Sequence, residues 1–88
     1  MAVKEYAGKE MKRMEEVMKK VIVISKDQKA KDFRDFANNY YKDGKYFFKE
    51  QKYEEAFEAF IIAWAYIDIG LKLNFFSVPR DIQKFFTA

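Results

Sequence analysis

The chain has 88 residues and contains neither cysteine nor histidine. The missing cysteine excludes a disulfide framework and a thiolate metal site, and the missing histidine excludes an imidazole base, imidazole ligands and a Ser-His-Asp triad. Half of the residues are hydrophobic and 19% are aromatic, which excludes a disordered chain. At this length we expect residues 1–88 to form a single domain.

The first predicted helix runs from about residue 2 to residue 24 and is amphipathic. Apolar residues recur every three or four positions, at Val3, Ala7, Met11, Met14, Met18 and Val21. The opposite side carries the cations Lys9, Lys12, Arg13, Lys19 and Lys20. These cations alternate with glutamates, which is typical of a solvated helix face with i,i+4 ion pairs. Gly8 lies inside this helix, where it costs about 1 kcal/mol relative to alanine.

Two further helices are predicted over about 27–50 and 53–74. The connection between them is so short that the two helices must lie antiparallel, as a helical hairpin. Gly44, Ala56 and Ala63 sit inside the apolar stripes of these helices, opposite large rings. A small residue facing a large one lets two helix backbones approach within about 8–10 Å. The sequence therefore predicts a tightly interlocked hairpin.

Residues that favour helix ends stand near the predicted boundaries. The sequence offers Ser25 or Asp27 as the N-cap of the second helix. Gly70 and Asn74 are candidates for the end of the third, and asparagine tolerates a left-handed cap. Pro79 fits the start of a last short helical turn. The prediction is an all-α bundle of three main helices with a short C-terminal helical appendage.

The third helix is apolar on more sides than the hairpin needs. Residues spaced at i, i+4, i+7 and i+11 leave a second stripe that has to be covered, and the tail adds further rings. Either the tail folds onto its own bundle, or another copy of the chain covers this surface. The candidate interaction face comprises Ile62, Tyr66, Ile69, Leu73, Phe75, Phe76, Phe85 and Phe86.

Three runs of the chain carry a resemblance to a known family. They are A-x-x-Y-Y-x-D-G-x-Y-F over 37–47, Y-x-x-A-F over 53–57 and I-D-x-G over 67–70. These runs resemble the domain of unknown function 357 family, a group of short archaeal proteins. The chain departs from the family pattern at Gln51, where a glycine is expected, and at Trp64-Ala65, which replaces a polar-plus-glycine pair. The resemblance implies a compact helical bundle and no assigned activity.

Two acidic residues are candidates for a catalytic or metal-binding role. Asp43 and Asp68 both lie at the edge of an apolar helix face, flanked by aromatic residues. One interpretation makes them a paired-carboxylate site for acid/base work or metal binding. The other makes each a structural hydrogen-bond acceptor, which is the usual role of a half-buried acid in a small bundle.

These observations favour a non-catalytic helical protein–protein interaction module that associates with itself, with no cofactor, metal or small-molecule substrate. The alternative is an accessory nucleic-acid-binding protein that uses Lys9, Lys12, Arg13, Lys19 and Lys20. We expect an enzyme only if Asp43 and Asp68 meet in a pocket.

The sequence also bears on location. The longest apolar run, Ala59–Ile67, is far shorter than the ~20 residues of a membrane span, and no signal peptide precedes it. A charged content of 35%, against about 25% in ordinary domains, is typical of a thermophile's intracellular protein. We therefore expect a cytoplasmic protein that does not enter the membrane.

Overall fold

Three α-helices dominate the structure, a computed structural model that describes residues 2–88. They are α1 (Val3–Lys20), α2 (Gln28–Lys49) and α3 (Tyr53–Lys72). A small antiparallel ribbon joins β1 (Ile22–Val23) to β2 (Phe76–Ser77), and a 3-10 helix covers Arg80–Phe85. The predicted all-α bundle of three main helices with a short helical appendage is confirmed. No helix within the described residues is both long and apolar enough to cross a membrane.

The turn between α2 and α3 is closed by two hydrogen bonds from residues just past the end of α2. Gln51 takes a left-handed backbone, with φ of 62°. The Lys52 N–H donates to the Phe47 carbonyl at 2.9 Å, and the Gln51 N–H donates to the Phe48 carbonyl at 3.1 Å. This is the Schellman arrangement, which favours glycine at the left-handed position. Glutamine there costs about 1 kcal/mol in backbone energy, so the tight turn is retained despite the missing glycine.

The interlock of α2 with α3 centres on Gly44 and Phe60. The Phe60 ring is fully buried and lies against the Gly44 backbone, so a Cβ at position 44 would stand 2.5 Å from the ring atom Cε1. Ala37, Ala56 and Ala63 are also fully buried. The predicted nesting of rings over small residues is confirmed, and it lets the two helix backbones approach closely.

The first helix lies parallel to α3 and covers one face of the hairpin. Tyr6 meets Phe57 edge-on at 6.3 Å between ring centroids, and Lys4 lies over the Tyr53 ring. Further along, α1 buries its apolar stripe completely at Ala7, Met14 and Val17. Burial of these side chains accounts for the predicted amphipathic pattern. Because α1 lies on one side of the hairpin, the opposite side has no covering helix.

The end of the first helix was predicted wrongly. α1 stops at Lys20, whereas the sequence indicated a helix to residue 24, and Ile22–Val23 pair instead with Phe76–Ser77. The Ile24 N–H also donates to the Phe75 carbonyl at 2.9 Å. Residues 21–24 are all β-branched, which favours extended backbone when a partner strand is present. That partner is the returning tail.

The other predicted helix ends agree with the structure except at one residue. Asp27 is the N-cap of α2, and its Oδ1 accepts from the Lys29 N–H at 2.9 Å. Asn74 has φ of 58° just beyond α3. Gly70, however, lies inside α3, where its missing side chain makes room for the ring of Phe76.

The tail folds onto its own bundle. Phe76 and Ile82 are each 3% exposed. The Trp64 indole N–H donates to the Phe85 carbonyl at 2.8 Å, and its ring stacks on Phe86 at 6.1 Å between centroids. Of the two alternatives that the sequence leaves open for the tail, the structure shows the intramolecular one.

The interlock predicts opposite effects for alanine at two glycines. Gly44→Ala should lower the free energy of unfolding by about 1–3 kcal/mol, because a buried ring has no room to move away. Gly8→Ala should raise it by up to about 1 kcal/mol, since its nearest neighbour, the Phe48 ring, would lie at 3.7 Å, an ordinary contact. Urea unfolding of both variants provides the measurement. Equal effects at the two positions would contradict the interlock.

Candidate functional site

One face of the hairpin is left open on the side away from α1. Phe36 on α2 is 47% exposed, and Ile69 and Leu73 on α3 are 48% and 51% exposed. Ile62 and Tyr66 lie between them on the same side of α3 and are half-buried. These five residues form a continuous apolar surface, called the open face below.

The aromatic ring of Tyr66 anchors the open face to α2. Its centroid lies 5.5 Å from Phe33, 5.5 Å from Phe36 and 6.0 Å from Tyr40. These three α2 rings recur at helical spacing, so they form a row beside α3. Aromatic pairs in such contact each add about 0.5–1.5 kcal/mol beyond their buried area. The open face is therefore a surface held rigidly by stacked rings.

The predicted interaction face divides into two groups in the structure. Ile62, Tyr66, Ile69 and Leu73 lie on the open face, whereas the four tail rings do not. Phe75 and Phe76 are 8% and 3% exposed within their own chain. Phe85 and Phe86 are half-buried, against Arg13 and Trp64 respectively. The tail rings are therefore occupied by the bundle itself.

The residue that sequence reasoning missed on this face is Phe36. Phe36 lies one position before Ala37, beside the buried stripe of α2. From the sequence, an aromatic residue in this position is expected to be a single exposed ring. Its ring meets Tyr66 of α3 at 5.5 Å. Spacing along α2 places Phe36 in line with Phe33 and Tyr40, but it does not show that this line of rings lies beside Tyr66 of α3.

Asp43 is exposed and borders a depression between α2 and α3. The depression has a volume of about 260 Å³, and its lining also includes Tyr40, Phe47 and Ile62. Asp68 is not among the lining residues. Asp43 and Asp68 therefore do not share this cavity, as a paired-carboxylate site would require.

Asp68 instead binds Thr87, near the C-terminal end of the chain. It is 5% exposed, and its two oxygens accept from the Thr87 N–H at 2.9 Å and the Thr87 hydroxyl at 2.7 Å. The Lys72 ammonium lies 3.7 Å away. Burial raises the pKa of Asp68, but the Thr87 hydrogen bonds and the Lys72 charge outweigh it, so the pKa lies below its ordinary value. This geometry is that of a structural acceptor.

Three of the six cations of α1 are engaged in ion pairs among the described residues. Three of the five candidate nucleic-acid contacts have carboxylate partners within 3.0 Å: Arg13 with Glu10, Lys19 with Glu15, and Lys20 with Glu16 and Asp81. For Lys9 and Lys12 the structure gives no such pair among the described residues. Paired cations offer less charge to a phosphate backbone.

Metal ligation finds no support in the acidic side chains. Across the part of the chain that the structure describes, no three of them gather in a group that could hold a metal ion.

The architecture defines a class of protein: a three-helix bundle in which an interlocked hairpin is covered on one face by α1 and the tail. The chain belongs to DUF357, described as a protein family of unknown function, whose family model matches residues 6–76. This confirms the resemblance seen in the sequence motifs. No curated protein is significantly similar to the chain.

A solved structure shares this fold. The crystal structure of protein AF1782 from Archaeoglobus fulgidus, also of DUF357, matches with a TM-score of 0.74 and 26% sequence identity. The match covers 88% of this chain and 93% of the archaeal one. The fold and the family are thus established together, and neither brings an assigned activity.

Asp68 should make stability depend on pH. Because its pKa in the folded chain lies below the ordinary value of 3.8, its contribution is complete at neutral pH and is lost as the pH falls through the folded pKa. We expect Asp68→Asn to lower the free energy of unfolding at pH 7 by about 1–2 kcal/mol, from weakened hydrogen bonds. The deficit should shrink in acid.

Urea unfolding between neutral pH and acid measures this effect. Asp43→Asn is the matched control, since it removes the same charge from an exposed position, and it should change stability by less than about 0.5 kcal/mol. A deficit for Asp68→Asn that persists undiminished in acid, or an equal deficit for both variants, would show that Asp68 plays no such part.

Proposed function

We propose that the chain is a non-catalytic helical interaction module that associates with a second copy of itself through the open face. The observation that carries this proposal is the exposure of Phe36, Ile69 and Leu73 on a face that no other element of the described chain covers. The rings of the tail, by contrast, pack against the bundle of their own chain.

The size of the open face supports a symmetric partner. With about half of Phe36, Ile69 and Leu73 exposed, the patch offers on the order of 300 Å² of apolar surface. A standard interface buries about 800 Å² per partner, with an apolar centre and a polar rim. The open face matches such a centre. A two-fold axis through it would place each apolar residue against apolar residues of the second copy.

The energy available sets the expected strength of the dimer. Two such patches remove on the order of 600 Å² of apolar surface from water, which gives roughly 15 kcal/mol at about 25 cal/mol per Å². Association costs about 4–15 kcal/mol in lost freedom and side-chain ordering. The remainder, roughly 0–11 kcal/mol, includes the ~8 kcal/mol of a micromolar complex, and a reversible dimer of about that strength is what we expect.

Charge on the open face should abolish the dimer. We expect Ile69→Lys/Leu73→Lys to be monomeric, because two lysines on each copy would be buried against two on the other. The matched control is Tyr6→Lys/Ile22→Lys, since these residues are 47% and 58% exposed and lie on α1 and β1, outside the open face. Sedimentation velocity over roughly 5 to 500 μM protein gives the measurement.

The unaltered chain and the Tyr6→Lys/Ile22→Lys control should both dimerise as concentration rises, with unchanged helicity by circular dichroism. An unaltered chain that stays monomeric throughout this range would refute self-association. A control that loses the dimer as completely as the α3 variant would refute the assignment of the interface to the open face.

A further inference from the structure

Two apolar grooves run along either side of the first half of α3. The groove between α2 and α3, of about 260 Å³, is lined by Tyr40, Phe47 and Ile62 together with Asp43, Glu55 and Glu58. The groove between α1 and α3, of about 340 Å³, is lined by Val3, Phe57, Ile61 and Ile62 together with Glu54 and Glu58. Since Glu58 and Ile62 border both, the two acid-rimmed grooves form one continuous surface.

Every charged residue that lines these grooves is a carboxylate. No lysine or arginine borders either groove, although the chain has 17 Lys and Arg against 14 Asp and Glu. Within residues 2–88, none of the four rim acids, Asp43, Glu54, Glu55 and Glu58, takes part in an ion pair. The rim is therefore a negative surface that the chain does not neutralise for itself.

Helix capping explains only part of this charge. Glu54 and Glu55 lie in the first turn of α3, where an acid complements the helix dipole. That effect fades within one turn, so it does not account for Glu58, and Asp43 lies in the C-terminal half of α2, far from a helix N-terminus. What Asp43 and Glu58 share is their position at the edge of an apolar floor.

The shape and charge of the grooves specify the chemistry of an occupant. Their volumes lie near or below the lower end of the ~300–1,000 Å³ typical of small-molecule pockets, which suits single side chains of a polypeptide. An apolar floor accepts aliphatic side chains, and a negative rim attracts lysine and arginine while repelling phosphate backbones and anionic lipids. An amphipathic helix with a basic border presents this combination.

A second copy of the chain fits these grooves poorly. The apolar stripe of its basic helix α1 is already buried in its own bundle at Ala7, Met14 and Val17. Arg13, Lys19 and Lys20 are paired with carboxylates of the same chain. A basic helix from elsewhere would bring cations without such partners.

We propose that the acid-rimmed grooves bind an amphipathic, lysine- or arginine-bordered helix of a different protein. Its aliphatic side chains enter the floor around Phe47, Phe57 and Ile62, and its cations pair with Asp43, Glu55 and Glu58. This surface lies toward the hairpin turn and shares only Ile62 with the open face, so the inference does not depend on self-association.

The test uses a synthetic helical peptide of about 18 residues, with leucines at i, i+3, i+4 and i+7 and lysines along both borders. A second peptide has glutamate in place of every lysine, and a third has the first composition in scrambled order. Fluorescence anisotropy measures their affinity for the full chain and for Asp43→Asn/Glu55→Gln/Glu58→Gln. The matched control, Glu15→Gln/Glu16→Gln/Asp35→Asn, removes as much charge from exposed acids away from the grooves.

We expect the lysine peptide to bind the unaltered chain and the control, and to lose at least about tenfold in affinity for the groove variant and at high salt. The glutamate and scrambled peptides should bind at least about tenfold more weakly. Chemical shifts should move at Tyr40 and Ile62 and stay fixed at Leu73.

No binding of the lysine peptide, an equal loss for groove and control variants, or equal binding of the glutamate peptide would overturn the inference. Sedimentation of the groove variant measures dimerisation, whereas anisotropy measures peptide binding. Each proposal can therefore fail without the other.

Discussion

The contact of the Phe60 ring with the backbone of Gly44 governs the arrangement of the rest of the chain. Because Gly44 has no side chain, the Phe60 ring packs directly against its backbone and the two helices lie close together. Other residues of the two helices therefore point outward, to one face of the hairpin or the other. α1 and the tail cover one of these faces. The second face keeps its apolar residues exposed, and both proposed binding surfaces lie along it or at its border.

The hairpin could be predicted from the sequence because its determinants are local. Apolar residues at helical spacing define both helices, and small residues such as Gly44 and Ala63 mark where the backbones meet. Asp27 and Asn74 likewise favour their helix ends by their own side chains or backbone tolerance. The strand at Ile22–Val23 was missed because its conformation depends on the tail, more than fifty residues later. A local pattern carries no information about such a partner.

The candidate site was predicted in part for the same reason. Ile69 and Leu73 lie on a single helix, so spacing alone places them on one exposed stripe. The direction of the tail is set after Asn74, by contacts such as that of Phe76 with Gly70, which sequence spacing does not reveal. Phe36 joins the open face only because Tyr66 on the neighbouring helix meets it. Surfaces built from two helices thus require the fold before they can be recognised.

The hairpin is the structural centre on which α1, the ribbon and the tail depend. Native-state hydrogen exchange tests this most directly, because it gives the free energy of opening at each amide. Amides around Gly44 and Phe60 should exchange only through global unfolding and share the highest free energy, with those of β1 and the 3-10 helix lower. Amides in the middle of α2 and α3 that open at lower free energy than those of α1 would contradict the account.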